Sequence, residues 1–136
     1  MDDITAVGRA VDRLLGGDLA PLRDLLAEDV RFEVATAEAG PDRRPEWGTQ
    51  AVVDYFTALG GLVAFWQIDY TAAGEQVIAW GRERFTVEHC ELEGGCEFAL
   101  VFELSDGVIG RLLVVEDLPA FVRGGGEVVE ASGTAA

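Results

Sequence analysis

At 136 residues, 49% of them hydrophobic, the chain is the size of a single domain with one core. Its formal charge of −15, with ten arginines and no lysine, argues against nucleic acid and against anionic membrane surfaces, both of which call for a basic face. No apolar run reaches the length of a membrane span, and residues 1–25 lack a basic start before an apolar stretch, so the expected compartment is the cytoplasm.

Ile4, Val7, Val11, Leu14 and Leu15 recur at helical spacing, and Gly16-Gly17 closes this first helix. Asp18 is placed to cap a second helix carrying Leu19, Leu22, Leu25 and Leu26. Pro21 falls in its first turn, where a missing N–H has no partner to lose. A short strand is expected from Val30 to Ala35, then a loop over 36–48, rich in Pro, Gly and charge. Thr49 caps a third helix with Val52, Val53, Phe56 and Leu59 on one face, ended by Gly60-Gly61. Tyr55 is read as out of phase with that face and partly exposed. Strands follow at about 64–72, 76–90, 95–104 and 108–117, with turns at Ala73-Gly74-Glu75, Gly94-Gly95 and Ser105-Asp106-Gly107. Asp-Gly between two apolar runs is a strong hairpin signal. Residues 124–136 read as a frayed tail after a domain of residues 1–123. Helices first and an antiparallel run after is an α+β pattern.

Strand alternation separates two faces. One carries Ala79, Gly81, Glu83, Phe85 and Val87, continued by Cys96, Phe98, Leu100 and Phe102, then by Leu112, Val114 and Glu116. The opposite face holds Trp80, Arg82 and Arg84, but also Ala99, Val101, Leu113 and Val115. A one-sided sheet should be polar outside. Apolar residues there point to a covering partner, most simply a second copy of the chain in a homodimer.

Glu83 is the one acid among apolar residues of its strand face. Burial removes hydration from a carboxylate and raises its pKa toward neutrality, which suits proton transfer. The structural alternative is a Glu paired with an arginine. Glu116 lies at the end of its strand, at a cone's mouth or in solvent, and is the second catalytic candidate. His89, the sole histidine, sits by a hairpin turn, and no spacing resembles a zinc ligand set, so no metal is expected. Cys90 and Cys96 could face each other in a hairpin, but free thiols suit the cytoplasm better. Trp47 and Trp66 are core or pocket-rim residues, and Asp54 reads as solvated surface.

Three segments carry a family resemblance: Gly17-Asp18-Leu19 with Leu25-Leu26-Ala27-Glu28-Asp29-Val30, the run Gly48-Thr-Gln-Ala-Val-Val-Asp-Tyr-Phe56, and the closing Phe102-Glu-Leu-Ser-Asp-Gly-Val-Ile109 with Glu116-Asp117-Leu-Pro-Ala-Phe121. Over about residues 4–123 the chain resembles the nuclear transport factor 2-like superfamily, in its SnoaL-like and ketosteroid isomerase-like branches. The resemblance implies a cone-shaped bent antiparallel sheet wrapped around three N-terminal helices, a cystatin-like α+β barrel with a mostly apolar pocket. It implies no cofactor. The pocket residues it suggests are Phe32, Val34, Phe85, Cys96, Phe98, Leu100, Leu112, Val114 and Phe121.

Catalytic positions of such relatives transfer poorly. The base of ketosteroid isomerases falls at Val34, their tyrosine near Ala10 and their protonated aspartate near Ala99. The Tyr and Asn of limonene epoxide hydrolases fall at Phe32 and Val34, one aspartate at Val114 and the arginine at Gly81, beside Arg82. Only Glu83 keeps an acid where they have one. Two functions therefore stand. One is an isomerase, cyclase or hydrolase using acid/base chemistry on a small apolar substrate. The other is a non-catalytic ligand-binding or dimerisation module.

Overall fold

The computed structural model describes residues 2–35, 45–60, 63–85 and 96–116, and for 59–60, 63–67, 83–85 and 96 only their backbone. His89, Cys90, the Gly94-Gly95 turn, Phe121 and the expected tail lie outside the described residues.

Helix α1, Asp3–Leu15, starts at Asp2, whose Oδ1 accepts the Thr5 N–H at 2.8 Å and satisfies one of the donors orphaned at a helix start. Hydrogen bonding from the Thr5 side chain, and then from its N–H, holds the Asp2 carboxyl below the usual carboxylate range. At the other end Gly17, at φ 89°, lets the Asp18 N–H reach the Arg13 carbonyl (2.9 Å) and its own N–H reach that of Leu14 (3.0 Å). This is a Schellman closure at the glycine pair the sequence marks. Val7, Ala10 and Val11 are buried, whereas Leu15, expected on the same stripe, is exposed.

Helix α2, Ala20–Leu25, begins one residue later than expected. Leu19 occupies the cap position without a side-chain bond, and Asp18 instead accepts the Ala20 N–H at 3.1 Å. Strand β1, Leu26–Ala35, is longer than the expected Val30–Ala35. Its register shifts between Leu26 and Arg31, where Glu28 and Asp29 are exposed, and that irregular stretch erases the period-2 signal. Strand β2, Glu46–Trp47, falls in the segment read as loop. Two residues paired with β1 at a sheet edge carry no periodicity of their own.

Helix α3, Thr49–Gly60, packs on β1, and the Thr49 hydroxyl donates to the Ala27 carbonyl at 3.3 Å. Strands β3, Val63–Ala73, β4, Gln76–Phe85, β5, Cys96–Ser105, and β6, Val108–Glu116, follow as expected. Asp106 (φ 52°) and Gly107 (φ 77°) are both left-handed, the requirement of the two-residue hairpin between Ser105 and Val108.

The described strands form one sheet in the order β2-β1-β6-β5-β4-β3. It is mixed, because β1 runs parallel to β6 while the other neighbours are antiparallel. The helices cover one face, where Phe32, Val77, Ala79, Leu100, Phe102, Leu112 and Val114 join Val7, Val11, Leu22, Val52 and Phe56 in the main core. The other face holds a second cluster, Ala35, Ile78, Ala99, Val101, Leu113 and Val115, with Trp80 against it. Each of these six is 6% exposed or less within one chain, so their burial does not require a second copy.

Candidate functional site

A cleft of about 690 Å³ opens between the end of β1, the β2 edge and the first turns of α3. Phe32 and Val34 form its floor, as alternation along β1 dictates, and Ala51, Asp54 and Tyr55 come from α3. Glu46, Trp47 and Gln50 complete its rim, where Trp47 is 64% exposed. The lining joins three aromatic rings to two carboxylates.

Tyr55 is held in this wall by ring contacts and a hydrogen bond. Its ring meets those of Phe32 and Phe56 edge-on at 5.3 and 5.2 Å between centroids. Its hydroxyl donates to Glu116 Oε1 at 2.6 Å, the short distance of a bond to a charged acceptor. Glu116 extends the inner face of β6 beyond Leu112 and Val114 and pairs in register with Phe98. The strand-end acid thus meets α3 through Tyr55. At the rim Gln50 Nε2 donates to Asp54 Oδ1 at 2.8 Å, while Glu46 has no partner among the described residues.

Tyr55 was missed as a site residue. The signal was present, since Val52, Tyr55, Phe56 and Leu59 are spaced i, i+3, i+4, i+7 and so share one face. Its half-burial agrees with partial exposure, but its ring turns toward the sheet. Asp54, expected as solvated surface, is exposed and belongs to the cleft.

The remaining expected positions separate. Phe32 and Val34 line the cleft, whereas Phe98, Leu100, Leu112 and Val114 are buried in the main core beneath the helices. Glu83 pairs with Cys96 and shares the alternation of Val77 and Ala79. Glu83 and Glu116 therefore flank β5 on opposite sides, two residues out of step. Two inter-strand spacings and that offset put their backbones roughly 12 Å apart. The side chains of Glu83, Phe85 and Cys96 are not described, and Phe121 lies outside the described residues.

Another carboxylate is more deeply buried. Glu33, on the opposite face of β1, is 4% exposed, with its Oε1 2.9 Å from Arg31 Nε and 3.3 Å from Arg111 Nε. Arg111 also lies 3.7 Å from Glu103. That acid is committed to two cations. No group of His, Cys, Asp and Glu suited to a metal ion occurs among the described residues, and no described helix is long and apolar enough to cross a membrane.

The curved, unclosed sheet with helices on one face decides the comparison with known structures. The chain has the nuclear transport factor 2-like fold. It matches an NTF2-like protein from Burkholderia pseudomallei at 17% identity and TM-score 0.67, over 90% of this chain and 97% of that one. An LEH-like epoxide hydrolase from M. tuberculosis matches at 19% and 0.62, over 90% and 87%. A de novo designed protein with a curved β-sheet matches at 20% and 0.67, over 90% and 93%. A designed backbone scoring as well as natural ones shows that the likeness follows the shape of the sheet. No family model and no curated protein matches the chain.

Proposed function

We propose that this is a small-molecule pocket protein of the SnoaL-like class. In this reading it takes a compact, largely apolar molecule in the β1–α3 cleft, whose Tyr55 wall is backed by Glu116, the acid assigned to move a proton on it. The observation that carries the reading is the 2.6 Å Tyr55–Glu116 bond beside a cleft with an aromatic and aliphatic floor. Glu116 accepts this bond from a neutral hydroxyl, whereas Glu33 is clamped by two guanidinium groups. Isomerisation, cyclisation and hydration all begin with such a proton movement. Glu83, paired with Cys96 and in the same alternation as Val77 and Ala79, is the second acid of this reading.

The non-catalytic reading also has an observation in its favour. Val34 and Val114, paired in register, are apolar at positions where the resembled enzymes carry polar catalytic groups. On that reading the cleft holds a ligand unchanged.

Native mass spectrometry of the purified protein is the first test, with a retained small apolar molecule as the expected result. With that compound in hand, Glu116→Gln should abolish its turnover and Tyr55→Phe should slow it by about tenfold, the loss of one hydrogen bond of 1–1.5 kcal/mol. Binding with no turnover in the unmodified protein supports the non-catalytic module, and full turnover by Glu116→Gln removes Glu116 from the chemistry.

A further inference from the structure

We infer that the molecule taken by this cleft is a small protonated amine on an apolar or aromatic body, a conclusion that rests on the pocket reading above. Two independent features of the lining point the same way, its charge and its rings.

The charge comes from Glu46 and Asp54, with no Lys, Arg or His among the described lining residues. Hydrogen bonds within the chain take up two of the cleft's donors and one of its carboxylate oxygens, Asp54 Oδ1. The Tyr55 hydroxyl proton is committed to Glu116, and one of the two Gln50 N–H groups to Asp54. What remains for a ligand is mainly carboxylate oxygen. An anionic ligand would stand beside two carboxylates with a third behind Tyr55, a like-charge arrangement that disfavours it.

The rings are those of Phe32, Trp47 and Tyr55. Aromatic faces attract cations, Trp most strongly. Trp47 already does so within the chain, for the Arg31 guanidinium carbon stands 5.8 Å from its ring centroid. Arg31 itself is ion-paired to Glu33 at 2.9 Å and so is drawn toward the opposite sheet face. An ammonium among the rim carboxylates, with its hydrocarbon body on Phe32 and Val34, satisfies both features at once.

Three probes of one shape and different charge test this: 2-phenylethylamine, 2-phenylethanol and 3-phenylpropionate, titrated at pH 7 against the full chain. Binding is followed by NMR of the three tryptophan indole N–H signals, with that of Trp47 identified by Trp47→Phe. The amine should move the Trp47 signal and bind about tenfold more tightly than the alcohol, with the propionate weakest. In the Glu46→Gln, Asp54→Asn double variant the amine-to-alcohol ratio should fall toward one. Equal or tighter binding of the alcohol or the propionate in the unmodified chain overturns the amine inference and leaves the pocket standing. A preference that survives in the double variant also overturns it, by assigning the effect to the net charge of the whole chain. If no probe moves the Trp47 signal, the pocket reading fails and the inference with it.

Discussion

Glu33 and Glu116 sit on adjacent strands of one sheet, on opposite faces, and their surroundings differ in kind. Glu33 is almost fully buried and faces two arginines, beside a cluster built from Ala35, Leu113 and Val115. Glu116 is half-buried and meets a tyrosine hydroxyl next to an open cleft. Burial alone would rank Glu33 first as a candidate for proton chemistry. Its partners demote it, because two guanidinium groups already occupy the oxygen that a substrate would need. A carboxylate becomes useful where its charge is solvated by neutral donors and a substrate can approach.

The sharpest way to break this contrast is to ask whether the two faces are equally core-like. Leu112→Ala on the inner face and Leu113→Ala on the outer face remove the same atoms from neighbouring residues, both buried. Each should lower unfolding free energy by about 3 kcal/mol in urea titrations. A loss under about 1 kcal/mol for Leu113→Ala would show the outer cluster to be surface-like, and would return the homodimer to the front as its cover. Sedimentation of the same samples reads that directly.

A smaller effect is expected from Glu33→Gln, which leaves Arg31 and Arg111 facing a neutral amide. About 2 kcal/mol of stability should be lost, discounted from a fully buried pair because Arg31 is 44% exposed. Ligand binding in the cleft should be unaffected, since Glu33 points away from it.

The smallest effect concerns Tyr70, on β3 beside Gly8 of α1. Its hydroxyl is buried without a partner among the described residues, and desolvation, aided by the charge of Asp12, pushes its pKa up to about 12 from 10.0. The unfolded chain loses this proton first as pH rises, so the contribution to stability is complete below pH 10 and disappears between about 10 and 12. Urea midpoints should fall over that window, and Tyr70→Phe should flatten the fall. Because the side chain is only half-buried, the slope should be shallow. An unchanged slope in Tyr70→Phe would place the alkaline loss elsewhere.

Much of this architecture was legible in the chain. Asp106-Gly107 and Gly16-Gly17 announce the hairpin and the first helix end because only certain residues tolerate a left-handed backbone. Alternation sorted Leu112 and Val114 from Leu113 and Val115 correctly, since a strand has period 2 regardless of context. Other features left no local trace. The two-residue strand Glu46–Trp47 exists only because β1 offers an edge, and β1 lies parallel to β6 with Phe32 opposite Leu112, 80 residues further along the chain.

The candidate site divides along the same line. Glu116 could be named from its position at a strand end, and Phe32 and Val34 from the family resemblance. Glu46, Asp54 and Tyr55 became site residues only when α3 settled against β1. Local sequence determines helices, turns and faces through backbone sterics and side-chain periodicity, which act within a few residues. The 2.6 Å bond between Tyr55 and Glu116, 61 residues apart, depends on where two finished elements come to rest. That placement is decided by the packing of the whole core.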